Sequence, residues 1–221
     1  MVDSCSGNSS SAEKAPSRPS PLDRILDAAA EVFAEEGFDG ARVDAIATRA
    51  GVNKAMLYYH VGDKGELYAA VLARNLERAH RRLAAAAAIA GPVRQRLGTM
   101  ILALAELVEE IPHHPRIMLR EIASGAAHLP DGVVAQVAEL LGLVRRTLEE
   151  GVASGELRPM DPLLTHLMIL GAVSFMTATR PVRERLRNLG APISVTETPA
   201  HLASYLTQVI LDGIAVPGGH P

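Results

Sequence analysis

The stretch RVDAIATRAGVNKAMLYYHVGDK, Arg42 to Lys64, decides how the rest of the chain is read. Val43, Ile46, Ala47 and Ala50 recur at the spacing of one helical face. Gly51 supplies a tight turn, Val52 a buried plug, and Asn53 a cap for the helix that follows. That second helix, Asn53 to His60, is barely two turns long and carries Lys54, Tyr58, Tyr59 and His60. So short a helix has little to gain from a core of its own. Its outer face reads as a surface that enters something else.

Outward from this stretch, punctuation by Pro, Gly and Asp predicts further helices. Upstream, Ser20-Pro21-Leu22-Asp23 is a helix start: Ser20 caps, Pro21 is pre-set for the first position, and Asp23 sits at the positive end of the dipole. Leu22, Ile25, Leu26, Ala29, Val32 and Phe33 form its apolar stripe, Gly37 ends it, and Phe38 folds back onto it. Residues 1–19, rich in Ser and Pro, have almost nothing to bury and read as a disordered tail. The alternative, an arm in the minor groove of DNA, has only Lys14 and Arg18 to support it.

Downstream, Asp63 and Glu66 form a capping box for a long helix from Lys64 to Ala90, with Leu67, Val71, Leu72, Leu76 and Leu83 inward. Arg74, Arg78, Arg81 and Arg82 form its solvated face. Gly91-Pro92 opens a helix to Glu110, and Pro112 and Pro115 bracket a break before a helix from Arg116 to Ala126. Asp131 caps a helix from Val133 to Ser154, and Asp161-Pro162 opens an apolar helix to Thr179. Arg180 to Val195 reads as a loop with room for one helical turn around Val182 to Asn188. Thr198-Pro199 opens the last helix, to Ile214, before a tail at 217–221. This is an all-α plan of nine helices with no strand.

Composition agrees. Ala and Leu dominate, aromatics are 3% of the 221 residues, and there is no Trp. A net charge of −3 argues against a general polyanion binder, so any nucleic-acid surface must be local. The single cysteine, Cys5, excludes a disulfide within the chain and fits a reducing compartment. No signal-peptide pattern opens the sequence. The longest apolar run, Leu163 to Thr179, is interrupted by His166 and falls short of the ~20 residues that span a bilayer. It reads as a helix buried on all sides, in a cytoplasmic protein with no membrane partner.

Gly37-Phe38, Val43, Ile46-Ala47, Ala50-Gly51-Val52, Leu57-Tyr58, His60, Lys64 and Leu67 together resemble the N-terminal signature of the tetracycline-repressor (TetR) family of bacterial transcription regulators. The resemblance covers Leu22 to Leu72, about a quarter of the chain. It implies a three-helix helix-turn-helix domain over 20–65, then a six-helix ligand-binding and dimerisation domain over 66–216. It also implies that the third helix enters the major groove and that a homodimer reads a near-palindromic operator on double-stranded DNA.

Lys54, at the start of that helix, can donate to a guanine edge or a phosphate, and Ala55 is small enough for close approach or contact with a thymine methyl. Tyr58 offers a hydroxyl and an apolar face, while Tyr59, His60 and Lys64 match phosphate-contacting positions of the family. Two positions depart from the pattern. Arg42 stands where a Thr or Ser cap is usual, which weakens the cap by about 1 kcal/mol and brings a charge that can meet a phosphate. Met56 replaces a frequent hydroxyl and can meet a thymine methyl. Asp44 repels phosphate unless it pairs with a neighbouring base or with Arg42, and acids slightly outnumber bases over 18–64, so binding should weaken at high salt.

In the second domain the resemblance implies a small-molecule effector and dimerisation through the last two long helices. Gly171, Ala172 and Ser174 permit close helix approach, and with Leu202, Tyr205, Leu206, Val209 and Ile210 they form the candidate interface. Candidate pocket residues are Met100, Leu104, Met118, Arg120, Glu121 and Leu140, with Arg145, His166, Met168, Phe175 and Met176. Glu121 and His166 stand out as polar groups in apolar runs that need a partner. His113-His114 lie on the predicted break without the i, i+4 spacing of a helical metal site, so no metal, cofactor or catalytic group is assigned. The expected function is a ligand-responsive repressor released from its operator by a small, largely apolar ligand. The alternatives are a helical small-molecule-binding or interaction protein that does not bind DNA specifically, and an enzyme using Glu121 and His166 as acid and base.

Overall fold

The structure is a computed structural model that describes residues 19–193 and 198–214. The two expected tails lie outside these residues, apart from Pro19. Ten helices and no strand make up the described part. The first three are α1 (Pro21–Gly40), α2 (Val43–Ala50) and α3 (Lys54–Val61). The remaining seven are α4 (Lys64–Ala87), α5 (Val93–Glu110), α6 (His113–Ala123), α7 (Asp131–Ala153), α8 (Pro162–Ala178), α9 (Arg180–Asn188) and α10 (Pro199–Ile214).

Local chemistry sets the ends of α1, α3 and α4. Ser20 Oγ accepts from the Asp23 amide at 3.1 Å and Asp23 answers to the Ser20 amide, closing a capping box with Pro21 at the first position. The hydrogen bond from Ser20 holds the Asp23 carboxyl below the usual carboxylate range. Asp63 and Glu66 form the expected box, at 2.8 and 2.9 Å. Asn53 caps α3 through the Met56 amide at 2.7 Å, whereas Arg42 at the start of α2 provides no side-chain cap. Gly37, at φ +76°, interrupts the helical path as expected, yet one more turn carries α1 to Gly40.

Three expectations are corrected. Pro112 and Pro115 do not bracket a break. Pro112 caps α6, and Pro115 falls in its first turn, where no amide is needed, so His113 and His114 are helical. Asp131 is the first residue of α7, behind Pro130, and caps nothing. The loop after Thr179 is the helix α9, which carries Pro181 in its first turn. The second domain therefore has seven helices where six were expected.

The helix α1 packs on α2, α4 and α6, and α4 runs on to pack against α5 and α7. One core cluster follows this path, with Phe33, Ile46, Leu57, Leu67, Leu72 and Leu148 fully buried. A second cluster joins α5, α8 and α10 through Ile101, Leu104, Ile169, Val173 and Ile210. The helix α8 is not buried on all sides: only Thr165, Ile169 and Val173 are buried, while Leu164, Met168 and Phe175 are each at least 60% exposed. No single helix among the described residues is long and apolar enough to cross a membrane.

Candidate functional site

Leu57 is the only buried residue of α3. It anchors the helix and leaves Lys54, Ala55, Met56, Tyr58, Tyr59 and His60 exposed together. Tyr59 is 86% exposed, an unusual position for so large a ring unless it awaits a partner. Its ring stands edge-on to His60 at 5.4 Å. Gly51, at φ +66°, makes the turn that sets α2 against α3. Arg42 is exposed at the start of α2.

Of the two partners expected for Asp44, a neighbouring base or Arg42, the structure gives the first. Asp44 pairs with Lys54, Oδ1 to Nζ at 2.8 Å, and not with Arg42. The hydrogen bond and charge of Asp44 hold the Lys54 ammonium above its usual range. Lys64 is half-buried. Its Nζ donates to the Asp39 carbonyl at 3.2 Å and lies 4.8 Å from the centre of the Phe38 ring, so it is already engaged at the end of α1.

A polar cluster joins this end of the molecule to α6. Tyr68 Oη, buried on α4, donates to Glu121 Oε1 on α6 at 2.7 Å. Burial and that carboxylate push the Tyr68 phenol well above its usual range. The second oxygen of Glu121 accepts the His128 amide at 3.2 Å. His128 stacks on Phe38 at 4.5 Å, with its ring nitrogens 3.4 Å from Glu121 and from Asp39. Arg120 donates to the Glu35 carbonyl near the end of α1 at 2.8 Å. Arg120 and Glu121, two of the candidate pocket residues, therefore belong to this junction.

The opposite side of α6 lines a cavity of about 310 Å³ enclosed by α4 to α8. Of the candidates, Met100, Leu104, Met118, Leu140, His166 and Phe175 line it. Arg145 instead pairs with Glu149, Met168 is 62% exposed, and the Met176 carbonyl accepts from Arg183. Sequence reasoning missed His114, Leu76, Ile122 and Leu167 as lining residues. The signal for His114 was the tolerance of Pro115 in a first helical turn. Burial pushes the His114 imidazole down to about 4 and lowers that of His166.

Tyr205 and Val209 of α10 and Leu164, Met168 and Phe175 of α8 are exposed apolar side chains. Gly171 is exposed and Ala172 and Ser174 are half-buried, with Gly171 and Ser174, like Phe175, also lining the cavity. Ile210 instead faces the chain's own core, with Leu202 and Leu206 packed partly against it.

A short exposed helix held across a glycine turn, polar contacts to a second helical domain and an enclosed apolar cavity define a helix-turn-helix regulator of transcription. Residues 25–71 match the family model of bacterial regulatory proteins of the tetR family, and residues 90–178 match a tetracyclin repressor-like C-terminal domain. The regulator RutR of Escherichia coli (strain K12) is 33% identical over 153 residues, 66% of this chain and 68% of RutR. The transcriptional repressor NicS of Pseudomonas putida is 28% identical over 201 residues, 87% of this chain and 91% of NicS. The ketosteroid transcriptional regulator KstR2 of Mycobacterium tuberculosis shares the fold, with a TM-score of 0.70 at 23% identity over 90% of this chain and 97% of KstR2. The chain belongs to the tetR family of bacterial regulatory proteins.

Proposed function

We propose that the chain is a ligand-responsive repressor that binds a near-palindromic operator as a homodimer in the cytoplasm and leaves it when a small, largely apolar molecule fills the cavity. In this reading α3 lies in the major groove. Met56, Ala55 and Tyr58 meet base edges, and Arg42, Tyr59 and His60 meet phosphates. The exposed faces of α8 and α10 pair with those of a second copy as a four-helix bundle.

The observation that carries the proposal is the double role of α6. Ile122 and Met118 line the cavity, while Arg120 and Glu121 hold α1 and α4. A ligand that displaces α6 moves the DNA-reading domain with it. Half-sites lie ~34–36 Å apart, so a few ångströms of spread between two recognition helices weakens simultaneous binding.

The test is a gel shift with duplex from upstream of the protein's own gene, run at low salt against random duplex. A specific band abolished by a cavity ligand is the expected result. Equal affinity for both duplexes would favour the alternative, a helical small-molecule-binding protein without specific DNA binding.

A further inference from the structure

The cavity wall has an unusual chemistry. Among the described residues no Lys, Arg, Asp or Glu lines it. The only polar side chains there among the described residues are His114 of α6 and His166 and Ser174 of α8, set among Leu, Ile, Val, Met and Phe. Among the described residues His114 Nδ1 is a buried nitrogen with no hydrogen-bond partner, and His166 lines the same wall. Orphaned polar atoms of this kind are rare in folded interiors and call for a partner.

We infer that the effector is an uncharged, mainly hydrocarbon molecule whose hydroxyl or carbonyl group hydrogen-bonds to His114 and His166. The inference rests on the cavity being the effector site. Both imidazoles are neutral at physiological pH because burial disfavours the cation. A neutral imidazole has one N–H donor and one bare acceptor nitrogen, a match for an alcohol or a ketone. A carboxylate, phosphate or coenzyme-A thioester would have to leave water for a wall without a cation. An ion buried without a counter-charge bears a large desolvation penalty, which the hydrocarbon contacts do not offset. The cavity lies at the small end of the range for ligand sites. Ile122 and Phe175, 69% and 63% exposed, line its outer part.

The test uses the full chain with two probes of equal chain length, 1-decanol and decanoate, each displacing the uncharged dye N-phenyl-1-naphthylamine. Decanol should displace the dye at pH 7.5 and decanoate should not, with at least a tenfold difference in half-displacement. His166→Leu should keep the parent's helical circular-dichroism spectrum and lose about threefold to tenfold in decanol affinity, the worth of one hydrogen bond. His114→Leu serves as the second variant, so the result does not hang on one substitution. Decanoate displacing as well as decanol, or both variants binding decanol unchanged, overturns this inference and leaves the effector site standing. Failure of the dye and of both probes to bind overturns the effector site itself, and this inference with it.

Discussion

Lys54 Nζ stands 2.8 Å from Asp44 Oδ1, so the first side chain of the recognition helix is tied back to the helix before it. Both groups are more than half exposed, and such pairs contribute little to stability. The consequence falls on DNA binding. In the proposed reading, Asp44 offsets the charge of a lysine at the start of the recognition helix, a position from which it would meet a base edge or a phosphate. Asp44→Asn should tighten binding to any duplex about fivefold at ~0.15 M salt and steepen the salt dependence by roughly one phosphate's worth. Anisotropy titrations over a salt series measure both. If operator binding weakened while random-duplex binding held, Asp44 would be reading a cytosine amine.

Tyr68→Phe keeps the ring between Phe33 and Phe38 and deletes only the hydroxyl that serves buried Glu121. The variant should lose about 1–3 kcal/mol, seen as a melting temperature lower by roughly 2–10 °C. It should also respond less to effector, because the tie between α4 and α6 is gone. An unchanged melting curve would show that this hydrogen bond contributes nothing to stability.

His114 makes stability depend on pH. Its imidazole is held down to about 4, against an ordinary value of 6.5. As pH falls through that window the unfolded chain takes up a proton that the folded chain refuses, so stability falls with pH. Near the bottom of the window the loss reaches about 3 kcal/mol. His114→Leu should flatten this part of the stability–pH curve and leave the curve above neutral pH unchanged. Equal slopes in parent and variant would show that the folded protein protonates this histidine freely.

Val209, half exposed on α10 beside Tyr205, tests the proposed bundle. Val209→Lys places a charge on the apolar face without touching the cavity. Light scattering should then report a monomer, and operator affinity should fall roughly a hundredfold as the two half-sites lose their linkage. A variant that stays dimeric moves the interface off this face.

The helix-turn-helix was the most legible part of the chain. The spacing of Val43, Ile46, Ala47 and Ala50, the turn at Gly51 and the cap at Asn53 are local features, and local hydrogen bonding sets them. The cap at Ser20 and the capping box at Asp63 were legible for the same reason. Proline-led starts at Pro21, Pro162 and Pro199 were read correctly, but two other prolines were not. Pro115 and Pro181 looked like breaks, yet both lie in first turns, where the ring displaces no hydrogen bond.

The cavity candidates divided by direction rather than by residue type. Met100 and Met168 are alike in sequence, but one lines the cavity and the other faces outward. Nearly every position of α8 is apolar, so its composition carries no periodicity to tell the two faces apart. Glu121 was correctly singled out as a buried carboxylate in need of a partner. That partner is Tyr68, 53 residues away in the chain, a pairing that spacing along the chain does not encode.

The sequence by itself determined the all-α class and the helix-turn-helix, because those rest on short-range turn chemistry and helical periodicity, and the resemblance of Arg42 to Lys64 and its flanks to a known signature pointed to the family. The tertiary structure alone decided that Lys54 answers to Asp44, that Arg120 reaches α1 and Glu121 reaches Tyr68 of α4 instead of the cavity, and that two histidines line a cavity wall with no charged side chain among the described residues. The physical reason is the packing of α6 between α1 and the cavity: which of its faces meets which neighbour follows from the positions of all three.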